Sequence, residues 1–407
     1  MKFHYHLTLG VVEAVKTIFF DHYHADKVIE RSFKAHLKWG SRDRAFFAES
    51  VYDIVRNWRL LDEANPVPDI TDPTEKCWII VGIYFIIQKQ LQLPDWSEWS
   101  KLNARVDDIP LLYNEKIKIR AIRYSIPDWI DTKGMEAFGE AQWEKEIKKL
   151  NEPAQVVLRT NTLKINTKSL KRNLFEESKI ETTTIANGDA LIVTKRQNIF
   201  QTKAFKNGWF EVQDWGSQQI APFLDVAPSM RVVDACAGAG GKTLHLASLM
   251  NNKGKIIALD IEEKKLIELE RRCKRNGVNI VETRNITSMK VIKRLYDSAD
   301  RLLLDVPCSG LGVLRRNPDA KWKLSEEFIH QIQTTQADIL DKYAPICKIG
   351  GLMVYATCSI LPSENELQVQ NFISRNEGKF KLLKSSSLTP HDFGFDGFYM
   401  ALLERLA

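Results

Sequence analysis

Two stretches of the 407-residue chain place a cysteine where an apolar run ends: LLLDVPCSG, with Cys308, and VYATCSILPSENE, with Cys358. In both, strand-like residues give way abruptly to a turn, and serine follows the cysteine. A lone free cysteine is usually a small apolar filler, and Cys77, Cys273 and Cys347 are read that way. A matched pair at the ends of two strands of one sheet points instead to thiols placed for chemistry. Asp305, just before Cys308, adds a carboxylate that can accept from an exocyclic amine, or donate where desolvation keeps it protonated. Its plainer role would be a turn or helix-capping acid. Pro307 sets a bend that presents Cys308 outward.

The third chemical stretch is VVDACAGAGGKTLHLASL, a strand running into a glycine turn and then a helix. Glycines allow close backbone approach to a ligand, and a helix N-terminus favours a polar or anionic one. A phosphate-binding P-loop would need a first glycine where Cys236 stands, and a dinucleotide fingerprint would need a glycine at Thr243. A nucleoside such as S-adenosylmethionine needs only the tight turn and an acid closing the next strand. Asp260, at the end of KIIALDI, is that acid and is placed for ribose hydroxyls. It would suit a nicotinamide dinucleotide equally, so turn and acid together name a nucleoside cofactor without saying which.

A thiol, an acid and a methyl-donor pocket together fit one problem well. Cytosine C5 is a poor nucleophile, but a thiolate adding at C6 turns the ring into an enamine whose C5 can attack a methyl group. An acid at the N3/N4 edge stabilises the developing charge. A base must then remove the C5 proton so that the thiol can leave. Two cysteines suit this cycle, one as nucleophile and one assisting release, and local chemistry allows either assignment.

The elements that must position these groups fall into three zones. Residues 1–150 read as helical, with Phe47, Val51, Ile54, Val55 and Trp58 at helical spacing and Ser41 as a cap. Further helices are expected over residues 11–20, 77–91 and 140–150. Residues 151–225 read as a small α+β unit, with strands in QVVLRTNTLK, DALIVTK and GWFEVQDW around a helix at 168–177. Residues 226–407 alternate strand and helix: RVVDA, KIIALDI, NIVETRN, DRLLLDVP and GGLMVYATCS, then KFKLL and GFYMALLERL. Such alternation predicts a parallel, doubly wound sheet with ligands at the carboxyl ends of its strands.

Composition sets the bounds. The sequence is 44% apolar and 27% charged, a globular balance, and its cysteines lack CxxC spacing, which suits free thiols in a reducing, cytoplasmic setting. The apolar patches near the N-terminus are interrupted by Glu13 and Lys16, so neither a signal peptide nor a membrane span is expected. His4, His6, His22 and His24 have no companion ligands at metal spacing, and no metal is expected. The net charge of +6 is compatible with a polyanion. RRCKR is read as a solvated helix face, whereas RRNPDAKWK, with Trp322 among its basic residues, is a candidate for phosphate contact.

DACAGAGGKT, DVPCSGLGVLRRNPDAKW and YATCSILPSENE, with the smaller LRTNTLK, GWFEVQDWGSQ and DGFYMALLE, closely resemble the motifs of the RsmB/NOP family of RNA cytosine-C5 methyltransferases. The resemblance covers about residues 150–407, and more loosely the first 150 resemble a NusB-like RNA-binding domain. It implies a multidomain protein: a helical domain over 1–150, an RRM-like α+β subdomain over 151–225, and a Rossmann-like class I methyltransferase domain over 226–407. It implies Cys358 as the nucleophile and Cys308 as the thiol that assists adduct breakdown. Asp305 would contact cofactor and base, and Lys242 would face the base and orient Asp305. Cys236, Ala237, Gly238, Ala239, Gly240, Gly241, Lys242 and Asp260 would cradle S-adenosylmethionine. Many members carry an acid after the third strand, where this chain has Asn285. The implied partner is RNA, ribosomal before transfer, with no membrane and no need for more than a monomer. A non-catalytic RNA-binding assembly factor is the competing reading, and the presence of Lys242, Asp305 and both strand-end cysteines argues against it.

Overall fold

The computed structural model describes residues 3–185 and 188–407. The chain divides into two compact units: Met1–Glu152 with Leu314–Leu324, and Pro153–Val313 with Ser325–Ala407. Among the described residues no helix is long and apolar enough to cross a membrane.

The first unit is built on helices, the longer ones being Tyr5–Phe19, Ala25–Ala35, Ser41–Glu63, Pro73–Ile87, Asp108–Lys116, Asp128–Phe138 and Glu140–Leu150. Asp72 starts the fourth by accepting the Glu75 amide, with Pro73 in the first turn, where its missing N–H costs nothing. Every residue from Cys77 to Phe85 is buried, so this helix is the centre of the unit and shows no polar face. Ser41 is the first helical residue rather than the cap. Gly40 takes the cap position, and the Asp43 carboxylate folds back to accept its amide at 3.0 Å. Ala25–Ala35, Asp108–Lys116 and Asp128–Phe138 escaped the sequence reading because they are short, at 11, 9 and 11 residues, and bury only one to three residues each.

Leu314–Leu324 interrupts the other unit in sequence but packs with these helices. Trp322 joins their apolar core and donates Nε1–H to Val55 O at 2.8 Å. Lys321 is only 2% exposed, its ammonium donating to Arg56 O at 2.7 Å and Asn151 Oδ1 at 3.1 Å. Arg315 is also buried, and its carbonyl accepts from Arg56 Nη2 at 3.0 Å. Phosphate contact, expected from RRNPDAKWK, is therefore ruled out for Arg315 and Lys321: both are buried, and Lys321's ammonium and Arg315's carbonyl are bonded inside the helical unit.

The second unit opens with a small antiparallel sheet of β1 (Val156–Thr160), β2 (Thr182–Thr184), β3 (Ala190–Val193) and β4 (Phe210–Val212), in the order β2-β3-β1-β4, with the helix Thr167–Ser178 beside it. β2 went unread in the sequence because it is three threonines, two of them exposed, with no apolar alternation. A larger sheet follows: β5 (Arg231–Asp234), β6 (Lys255–Asp260), β7 (Val281–Asn285), β8 (Ala299–Asp305), β9 (Cys347–Thr357), β10 (Phe380–Leu388) and β11 (Phe398–Arg405).

Its order is β10-β11-β9-β8-β5-β6-β7. β5 to β9 pair in parallel as expected, but β11 runs antiparallel to both β9 and β10 and so breaks the expected all-parallel pattern. The cause is connection length. The stretch between β10 and β11 is shorter than the roughly dozen residues a parallel crossover needs, so β11 turns back and inserts between its neighbours. The parallel centre carries the consequence for chemistry: β8 and β9 are adjacent, with Asp305 opposite Ala356, so the turns bearing Cys308 and Cys358 leave the sheet side by side.

Candidate active site

The glycine turn leaves β5 and enters the helix Gly241–Leu249 through Gly240, at φ +85°, where a side chain would be strained. A Cβ there would also lie 2.0 Å from Leu269 Cδ1. Gly238, at φ +54°, faces open space, as a ligand-facing position requires. Its amide donates to Asp260 Oδ2 at 2.8 Å, and Asp260 Oδ1 accepts the Glu262 amide at 2.8 Å. Each carboxylate oxygen keeps a second lone pair, which leaves Asp260 able to accept hydroxyl groups. Ala237 and Gly240 donate instead to Leu259 O and Ala237 O, both at 2.9 Å, so their amides serve the turn and not a ligand. Asn285 donates Nδ2–H to Asp260 O at 3.2 Å and Ile261 O at 3.0 Å, bracing the end of β6.

Two arginines hold the other side of this turn: Arg159, given no role in the sequence reading, and Arg272, read there as part of a solvated helix face. Arg159 on β1, 2% exposed, donates Nη1–H to Gly241 O at 2.8 Å. Arg272 donates Nη1–H to Ala239 O at 2.7 Å and Nη2–H to Glu211 Oε2 at 2.9 Å. Glu211 on β4 also accepts from Arg275 and from Asn276 Nδ2. Burial would raise its carboxyl, but Arg272 and Arg275 outweigh that and hold it below the usual range. RRCKR is thus only partly a solvated face: Arg271 is exposed, while Arg272 and Arg275 turn back to Glu211.

At the ends of β8 and β9 the reactive groups gather. Lys242 Nζ lies 2.6 Å from Asp305 Oδ2, with its ammonium 5.6 Å from the centre of the Phe398 ring. Burial works against this ammonium, yet Asp305 first, then Cys358 and Asp234, hold its pKa above the ordinary lysine value. Cys308 Sγ and Cys358 Sγ are 3.2 Å apart. The Cys308 thiol is pushed well above the usual cysteine range by its hydrogen bond to Cys358, then by burial, then by the charges of Cys358 and Glu364. Burial likewise drives the Cys236 thiol up. Below the turn, Asp234 accepts from Thr243 Oγ1–H at 2.7 Å, and burial lifts its carboxyl to about 7.

The sequence-named groups therefore converge in one unit: Lys242 on Asp305, Cys308 on Cys358, and Asp260 on the glycine turn. Behind the cysteines, Glu364 is fully buried and accepts from Ser309 Oγ–H and Ser359 Oγ–H, both at 2.5 Å. It was legible only as a letter in LPSENE, because Ser309 and Gln336, two of its partners, are far away in sequence.

A parallel central sheet, an open glycine turn and an acid closing the next strand define a nucleoside-cofactor enzyme, and the family matches make it an S-adenosylmethionine-dependent methyltransferase. The family described as 16S rRNA methyltransferase RsmB/F matches residues 221–404, and the ferredoxin-like domain of RsmF/B-like methyltransferases matches residues 126–200. The probable ribosomal RNA small subunit methyltransferase B of Synechocystis is 30% identical, over 94% of this chain and 95% of its own. The crystal structure of PH0851 superposes with a TM-score of 0.82 at 26% identity, covering 100% of both chains. NSun6 from Pyrococcus horikoshii with SFG shares the fold at a TM-score of 0.64 and 23% identity, over 69% of this chain and 98% of its own. The chain belongs to the RsmB/F family of ribosomal RNA methyltransferases.

Proposed function

We propose that this protein methylates C5 of a cytosine in small-subunit ribosomal RNA, through a covalent bond from Cys358 to C6 that Cys308 helps to break. The thiol pair 3.2 Å apart, beside the Lys242–Asp305 ion pair, carries this reading. The name of the Synechocystis relative supports the choice of RNA. The helices of 1–150 serve RNA binding, and 151–225 and 226–407 present the target and perform the chemistry. The target base must be unstacked and turned into the pocket.

S-adenosylmethionine, held at residues 236–242 and at Asp260, supplies an electrophilic methyl group. Asp305 holds the N3/N4 edge of the base, and Lys242 fixes the position of Asp305. Cys358 forms the bond to C6, and electron density moves to C5. C5 takes the methyl as the sulfonium–methyl bond breaks, and S-adenosylhomocysteine is the other product. Loss of the C5 proton to a base then re-forms the C5–C6 double bond and expels the Cys358 thiolate. Cys308, whose pKa is raised, keeps its proton and donates a hydrogen bond to that departing sulfur.

Trapping tests the assignment. Cys308→Ala is expected to accumulate a covalent protein–RNA adduct, while Cys358→Ala forms none and loses activity. The opposite pattern would exchange the two roles. Sequencing of methylated cytosines in ribosomal and transfer RNA, with and without the gene, checks the substrate.

A further inference from the structure

Both reactive turns end in serine, and both serines converge on one carboxylate. Glu364 Oε1 accepts Ser309 Oγ–H and Ser359 Oγ–H, each at 2.5 Å, and the serine oxygens lie 3.2 Å from each other. Glu364 Oε2 accepts the Ser309 amide at 2.8 Å and Gln336 Nε2–H at 3.0 Å. Gln336 donates also to Pro307 O at 3.0 Å, so the Pro-Cys bend is gripped from both ends. The Glu364 carbonyl accepts Tyr355 Oη–H from β9 at 2.6 Å. Every one of these groups except the Pro307 carbonyl belongs to a buried residue. A carboxylate surrounded by four donors is fully satisfied only when both turns are in place, and one that lost a turn would be left buried and under-satisfied.

We infer that Glu364 is the positioning residue that sets the separation of Cys308 and Cys358, acting through Ser309 and Ser359. For catalysis this rests on the proposed covalent chemistry, in which Cys308 must reach the sulfur of Cys358 as the adduct breaks. A misplacement of about 1 Å can lower a rate on the order of a hundredfold, so such a brace controls turnover without touching substrate.

The test measures the thiol spacing directly in the full-length protein without RNA. Diamide oxidises two neighbouring thiols to a disulfide; the two thiol hydrogens reduce its N=N bond to the hydrazine. Wild type is expected to form the Cys308–Cys358 disulfide rapidly, as mapped by peptide mass. Glu364→Gln, which keeps shape but loses the charge and an acceptor, is expected to slow it about a hundredfold. Its S-adenosylmethionine affinity should be unchanged. With RNA, Glu364→Gln should lower kcat at constant KM, and Glu364→Asp should restore part of it. Should Glu364→Gln not fold, Ser309→Ala and Ser359→Ala, each removing one strut, decide by the same disulfide rate. Folded variants that close the disulfide at the wild-type rate overturn the inference. A slowed disulfide with no RNA adduct in any variant would uphold the positioning role and reject the covalent reading alone.

Discussion

Lys242 and Asp305 form an ion pair at 2.6 Å across the mouth of the sheet, one from the first turn of the glycine-turn helix and the other from the end of β8. Their side chains are 13% and 25% exposed, so each charge depends on the other more than at a free surface. Lys242→Met is expected to lower single-turnover methyl transfer by about a thousandfold, the scale found when a preorganised charge is removed from an active site. Asp305→Asn should do the same. S-adenosylmethionine binding, followed by calorimetry, should fall only modestly in Lys242→Met.

Arg159 and Arg272 hold the carbonyls of Gly241 and Ala239. Charge-assisted bonds of this kind contribute about 1.5–3 kcal/mol each. Arg159→Met should therefore weaken S-adenosylmethionine binding by about tenfold or more, although Arg159 belongs to the small sheet and touches no cofactor in the proposed site. An unchanged dissociation constant in a folded variant would show that the turn keeps its shape alone.

Asp234 gives a pH dependence of known sign. Its folded carboxyl titrates near 7, raised by burial from 3.8. Below the unfolded value both states are protonated, and the folded state keeps its full benefit. As pH rises between the two values the unfolded carboxyl ionises first, and stability falls by about 1.4 kcal/mol per pH unit from this group. Above about 7 both are ionised and the loss is complete. Asp234→Asn removes this titration, so its melting temperature should vary less between pH 4 and 7 than that of wild type. Thermal melts of both proteins across that range check it.

Lys321 separates burial from nucleic-acid contact. Its ammonium is bonded to Arg56 O and Asn151 Oδ1, and burial, with Arg56 beside it, drives its pKa well down. Lys321→Met should leave the salt dependence of RNA binding unchanged, because no phosphate contact is lost. Stability should fall by about 1–3 kcal/mol, because a buried and a half-buried acceptor lose their donor. Binding titrations at several salt concentrations, with a chemical melt, distinguish the two.

What the sequence determined by itself was local. Apolar, β-branched runs bounded by turn residues placed the strands that carry Asp234, Asp260, Asp305 and Cys358, because strand propensity and glycine turns act over a few residues. Long-range partners were another matter. That β8 lies beside β9 makes Cys308 and Cys358 neighbours at 3.2 Å, and that β11 returns antiparallel follows from connection length and packing together. Basic letters in RRNPDAKWK looked like a phosphate site, yet the fold buried Lys321 and packed Trp322 against helices far away in sequence. Glu364, Arg159 and Arg272 had no local signal, since a buried polar group is defined by donors that only the tertiary structure brings within hydrogen-bond reach. Sequence set the chemistry available at each strand end, and packing decided which of those groups could act together.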